Sequence, residues 1–147
     1  MTENAPEYEY TGACHCGAVR VRYRARFPIG TLRIGRCGCS FCRNHGARTS
    51  SDAGGFLEIE ERAPGAQRYR FGLGITDFLV CNGCGTYIAA VIEDGSRHLA
   101  TLNVNVLEDR DRFDPAPPLV HYDGETAEQR FARRQKQWMP TTIIPSG

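Results

Sequence analysis

Seven cysteines fall in three tight groups along this chain of 147 residues. They stand as Cys14 and Cys16 in "CHCG", as Cys37, Cys39 and Cys42 in "CGCSFC", and as Cys81 and Cys84 in "CNGCG". No other feature constrains the fold as strongly. Sulfurs two or three residues apart aim at a common ion, and an ion shared between groups ties distant segments together. The opening "MTENAPEYEY" is acidic and polar rather than a secretory leader, so a cytoplasmic location is expected. The cytosol keeps thiols reduced, and grouped cysteines there read as metal ligands or reactive thiols before disulfides.

Four thiolates at about 2.3 Å from Zn²⁺ make a closed tetrahedral site. The C-x-x-C-G at 81 to 85 is a tight knuckle, with Gly85 letting the backbone fold around its sulfurs, and the C-x-C-G at 14 to 17 is a second clip. Together the two clips close one site. Cys37, Cys39 and Cys42 then remain as a unit, able to hold zinc with a coordination position open to an outside partner, as a reactive site requires. A different partition pairs Cys37 and Cys39 with Cys81 and Cys84 and strands Cys14, Cys16 and Cys42. A third option closes the three-cysteine group with His45 or His15 as a second structural site.

Charge narrows the chemistry of an open three-thiolate site. A divalent ion there carries a net negative charge, so it is a poor generator of hydroxide. It can still take up a thiol as thiolate. The added negative charge calls for cations, and Arg36, Arg43 and Arg48 flank the group. Arg43 and Arg48 are the expected contacts for a carboxylate-bearing guest. The whole chain has a net charge of only +1, which does not suit a binder of nucleic-acid backbones.

Between the cysteine groups the patterning is that of strands. "GAVRVRYRARF" alternates Val19, Val21, Tyr23, Ala25 and Phe27 with Arg20, Arg22, Arg24 and Arg26, a half-buried strand whose arginines discourage edge pairing. "FLEIEERAPGAQRYRFG" reads as a hairpin turning at Ala63-Pro64-Gly65, with Leu57 and Ile59 on one arm and Tyr69 and Phe71 on the other. "TDFLVC" and "TYIAAVI" flank the last cysteine pair. "RHLATLNVNVL" alternates once more, which leaves Asn103 and Asn105 facing solvent. No apolar run is long enough to span a membrane.

After the proline-rich "DRFDPAPPLV", a helix is expected over about 126–139. Thr126 and Gln129 fit a capping box, and Ala127, Phe131 and Trp138 share a face. Arg133, Arg134 and Lys136 are placed elsewhere around the wheel, and Pro140 stops the helix. The fold class is mainly β with one C-terminal helix, in a single domain spanning 1–147.

"GACHCGAVRV", "CGCSFCR" and "CNGCGTYI", in that order, resemble the glutathione-dependent formaldehyde-activating enzyme family, whose wider membership includes relatives of centromere protein V. The resemblance covers roughly residues 10–106 and includes all seven cysteines, and "DGETAEQRFARRQKQW" resembles the tail of the aldehyde-activating subgroup. It implies a β-tent fold of antiparallel sheets and two zinc ions. Cys14, Cys16, Cys81 and Cys84 would hold the structural ion, and Cys37, Cys39 and Cys42 the catalytic one. The implied activity joins glutathione to formaldehyde, giving S-(hydroxymethyl)glutathione, a carbon–sulfur lyase reaction in reverse. The partners expected are glutathione or a related small thiol and an aldehyde, with no nucleic acid and no membrane; a homodimer is left open. Two rival readings are a thiol carrier that binds without accelerating anything and a zinc-scaffolded interaction module.

Overall fold

The alternating stretch after Ala18 does form a strand, one of eleven in a computed structural model describing residues 5–146. In chain order these are β1 (Tyr8–Ala13), β2 (Val19–Ala25), β3 (Arg36–Cys37), β4 (Thr49–Ser50), β5 (Phe56–Arg62) and β6 (Ala66–Tyr69). Then come β7 (Asp77–Cys81), β8 (Tyr87–Asp94), β9 (Arg97–Asn103), β10 (Leu119–Val120) and β11 (Met139–Ser146). Two helices interrupt them, α1 (Ser40–Asn44) and α2 (Ala127–Gln137). The main sheet runs β1-β2-β5-β11-β9-β8-β7-β6, with β4 also on β9, and β3 pairs with β10 apart from it. The fold is mainly β, and its pairings are antiparallel except β11 on β5 and β10 on β3. No helix among the described residues is long and apolar enough to cross a membrane.

In β2 the side chains of Val19, Val21, Tyr23 and Ala25 are buried and Arg20, Arg22 and Arg24 are exposed. The wet face is matched by acids. Arg20 lies opposite Glu60 and Arg22 opposite Glu58 on β5, and Arg24 reaches Glu9 of β1 at 3.2 Å. Opposite charges across a strand pair stabilise the register. The stripe guards no edge, however, because β2 has a neighbour on each side.

The hairpin expected at 56–72 is not one. Ala63-Pro64-Gly65 does turn the chain, but β6 leaves to pair with β7, while β5 lies between β2 and β11. The strand that takes the free side of β5 is β11, in a segment where Pro140 and Pro145 argue against any strand. Register explains why both are tolerated. Pro140 faces only Leu99 of β9, and Pro145 faces only Glu61 of β5; Thr141 between them pairs with both neighbours. Each proline therefore sits where the strand has a single partner and a missing N–H need not break the ladder.

β8 explains the longest apolar run in the sequence. Ile88, Ala89 and Val91 pack into the larger core, with Val21, Tyr23, Leu57 and Ile59. Tyr87, Ala90 and Ile92 pack into a smaller core with Cys42, Phe78, Leu99 and Trp138. A strand covered on both faces reads as continuous hydrophobicity. The alternation of 97–107 breaks at Asn103, after which Val104–Val106 form a 3-10 turn. Asn103 is buried rather than solvent-facing: its amide donates to the Tyr87 carbonyl at 2.9 Å and its oxygen accepts from the Asn105 N–H. Asn105 is half-buried and donates to the Gly46 carbonyl.

Candidate active site

Cys14 follows β1 and Cys16 lies in the turn into β2, while Cys81 ends β7 and Cys84 lies in the turn into β8. The sheet brings these two turns together, and all four Sγ atoms lie within 4.8 Å of one another. Cys14 and Cys16 are 3.7 Å apart and Cys16 and Cys81 3.6 Å apart. A tetrahedron with metal–sulfur bonds of about 2.3 Å has edges of about 3.8 Å, so the donor set fits one ion with no rearrangement. Each clip ends on a glycine in the left-handed region, Gly17 at φ 82° and Gly85 at φ 78°, where a side chain would be strained. N–H groups of Val19 and Gly83 point at the sulfurs of Cys14 and Cys81. Burial pushes the Cys81 thiol up to about 12. Burial also raises Cys84, but hydrogen bonds from Thr86 and the backbone outweigh it and bring that thiol down to about 5.

The second group is built differently. Cys37 ends β3, Cys39 is the N-cap of α1, and Cys42 stands within α1. The Cys39 sulfur accepts from the Cys42 N–H at 3.4 Å, and the three Sγ atoms again lie within 4.8 Å of one another. Hydrogen bonds from Cys37 and Cys42 hold Cys39 well below the ordinary thiol range. Its anion in turn pushes Cys37 upward, and bonding with Cys37 and Cys39 together with burial pushes Cys42 up. Three sulfurs this close settle one negative charge among themselves and need a cation to carry more. No histidine, acid or further cysteine among the described residues joins them. His45 is exposed and packs against Phe41 at 4.5 Å instead, and His15 is exposed beside the other cluster without joining it.

β10 lies parallel to β3 and delivers His121 onto the thiol loop. A Cβ at Gly38 would stand 2.3 Å from the His121 Nδ1, so glycine in the middle of Cys-Gly-Cys lets the imidazole lie directly against the loop. Beside the loop opens a cavity of about 750 Å³, with Cys37, Cys39 and Cys42 in its wall. Phe71, Phe78, Tyr87 and Trp138 give it an apolar lining, and Phe41 packs against them, tilted to Phe78 at 4.7 Å and edge-on to Tyr87 at 4.9 Å. Burial raises the Tyr87 phenol well above its usual range, so it stays protonated. Asp52, also on the cavity wall, is held below its ordinary value: burial raises it, but hydrogen bonds from Arg26 outweigh that.

The arginines that flank the triad in sequence are turned elsewhere. Arg48 donates to Asn105 and to the carbonyls of Arg110, Phe113 and Asp114; Arg36 donates to the Pro117 carbonyl; Arg43 is exposed on α1. None of the three lines the cavity, whose arginines are Arg26, Arg33, Arg130, Arg133 and Arg134. Arg134 is the one that sequence reasoning misplaced. It is buried, with its guanidinium over Trp138, on the same helix face as Phe131 and Trp138 rather than elsewhere around the wheel. The signal was available: Ala127, Phe131, Arg134 and Trp138 follow the four-, three- and four-residue steps of a single helical face.

Residues 9–122 match the glutathione-dependent formaldehyde-activating enzyme family. The chain belongs to that family. The match runs past the residues 10–106 on which the sequence motifs rest and takes in β10 and His121. A crystal structure of a Rhodobacter sphaeroides protein is similar, with 30% identity over 75% of this chain and 99% of that one, at a TM-score of 0.54. No curated protein matches. Both cysteine clusters can hold metal ions, one enclosed by four sulfurs, the other with three sulfurs beside a cavity.

Proposed function

We propose that this member of the family joins a thiol, glutathione or a similar one, to formaldehyde or another aldehyde, as a zinc-dependent carbon–sulfur lyase running in the additive direction. Cys37, Cys39 and Cys42 would hold the catalytic Zn²⁺, and Cys14, Cys16, Cys81 and Cys84 the structural one. The observation that carries this reading is the difference in closure: four sulfurs complete one set, while the other three line a cavity and no fourth protein donor joins them among the described residues. Zinc bound by the triad would favour the thiolate form of an incoming thiol.

The reaction forms one C–S bond, opens the carbonyl π bond, and leaves the thiol's proton on the former carbonyl oxygen. The chain's own groups favour each part. The apolar side chains of Phe71, Phe78 and Trp138 offer no hydrogen bond to compete for the carbonyl, and confinement beside the sulfurs raises the effective concentration. The Tyr87 phenol keeps its proton and has no hydrogen-bond partner among the described residues, so it can donate to the oxygen as that oxygen gains charge.

The test is exchange kinetics with protein in catalytic amount, alongside metal counts. The wild type should carry two zinc ions per chain and accelerate the appearance of the thiohemiacetal beyond the unaided reaction. Cys39→Ser should keep one ion and the fold and lose the acceleration. A wild-type rate no faster than background would leave a thiol carrier rather than an enzyme.

A further inference from the structure

We infer that the guest of this cavity carries a carboxylate, and that Arg134 is the residue that receives it. The inference deepens the proposed thiol–aldehyde reading by naming the substrate class, a small acid with an apolar body, and by placing its anchor on α2 rather than beside the cysteines.

Arg134 is only 7% exposed, yet its charge has no acidic partner among the described residues. Its neighbours are different: Arg133 and Arg130 both pair with Glu125, at 2.8 Å and 3.3 Å. Arg134 donates from Nη1 to the Thr76 hydroxyl, a neutral acceptor, and its Nε finds no acceptor at all among the described residues. One face of the guanidinium lies over the Trp138 ring, 4.3 Å from its centroid. A buried guanidinium with an unmet donor is expensive to keep. Burial, with Arg133 and Arg130 nearby, lowers its proton affinity to about 10, still well above neutral, so it remains a cation.

Those properties describe an anion site awaiting its ligand. A planar guanidinium matches a planar carboxylate through two parallel hydrogen bonds. Of the other cavity arginines, Arg26 pairs with Asp52 and Arg130 and Arg133 with Glu125, so Arg134 is a buried guanidinium left to an anion, and its planar fork suits a carboxylate. Arg134 lines the same cavity as the triad, and Tyr87 lies within electrostatic reach of both. A guest with a thiol at one end and a carboxylate at the other would meet Cys37, Cys39 and Cys42 with its sulfur and Arg134 with its carboxylate, its body against Phe78 and Trp138.

Trp138 is the only tryptophan in the chain, so its emission reports on this site directly. The metal-replete protein is titrated with 3-mercaptopropionate, its methyl ester, propionate and glutathione. The acids should quench or shift Trp138 saturably, and the ester should bind on the order of ten- to a hundredfold more weakly than its parent acid. Arg134→Gln should erase that preference, and Arg134→Lys should restore part of it. Removing an unpaired buried charge should also leave the melting temperature of Arg134→Gln unchanged or higher, whereas a purely structural arginine would lower it. Equal binding of acid and ester overturns the inference and leaves the thiol reading intact. Equal binding of propionate and 3-mercaptopropionate supports Arg134 as anchor and removes the thiol reading of the triad. Should Arg134→Gln fail to fold, the acid–ester comparison in the wild type and the Arg134→Lys protein decide the matter.

Discussion

The four-sulfur cluster joins two turns that are far apart in sequence, each finished by a glycine with positive φ, so that β1 and β2 are held against β7 and β8. The three-sulfur cluster draws all its donors from one strand–helix junction, Cys37 to Cys42, and has no glycine after its last cysteine; Arg43 simply continues α1. The first is a long-range cross-link and the second a local one. Closing a long loop removes more chain entropy than closing a short one, so an ion in the first cluster would contribute more to folding than an ion in the second. A cluster that contributes little to holding the fold is free to be used for chemistry, and it is the local one that borders the cavity.

The sharpest way to break this comparison is to remove one ligand from each side. Cys81→Ser should abolish cooperative thermal unfolding if the four sulfurs hold the proposed structural zinc, because such a site contributes on the order of 10 kcal/mol to folding and its ligands come from turns at distant strands. Cys39→Ser should melt within a few degrees of the wild type, since it opens only a local loop. Circular dichroism on both variants checks the pair. Equal losses would show that the local cluster also supports the fold and would end the division of labour drawn here.

A smaller effect is expected at Asp52, on the cavity wall. Its side chain accepts from the Arg26 N–H and guanidinium and from the Gly54 N–H, and it is almost fully buried. Asp52→Ala should cost about 2–3 kcal/mol, the range for charge-assisted bonds to a buried carboxylate. The pair also predicts an acid limb. The folded carboxyl titrates below its ordinary 3.8, so its contribution is present in full above that value and is lost as pH falls through the lower folded pKa. In Asp52→Ala that part of the fall below pH 4 should vanish. Thiolates that release metal in acid produce a separate loss, which persists in the variant and is followed by metal content.

How far the sequence could be read depends on whether a residue's role is local. The cysteine groups, the β2 alternation and the Thr126–Gln129 capping box are encoded within a few residues, and each stands where spacing put it. β11 was illegible because Pro140 and Pro145 are acceptable only given which neighbour each residue faces, a fact of the assembled sheet. The mistaken hairpin at 56–72 follows from the same omission, since β11 occupies the side of β5 that β6 would have taken. At the site, the thiols were legible and the cations were not. Sequence neighbours of the triad, Arg43 and Arg48, look outward or bind backbone, while α2 brings Arg134 from the far end of the chain.

The smallest predicted effect tests whether α2 belongs with the cavity or with the scaffold. Thr126 accepts from the Gln129 N–H at 3.1 Å while the Gln129 side chain accepts from the Thr126 N–H at 3.0 Å, so both orphan donors at the helix start are satisfied. Thr126→Ala should cost about 1 kcal/mol and lower the melting temperature by about 2–4 °C. The four-sulfur cluster draws its donors from the turns before β2 and β8 and none from α2, so its metal affinity should not change. Arg134 and Trp138 lie at the opposite end of the helix from the cap, held there by Thr76 and by the docking of Met139 in β11, so fraying of the first turn should leave the acid–ester preference within about twofold of the wild type. A larger loss of that preference at unchanged metal content would mean that the whole helix, and not its last turn, positions the anion anchor.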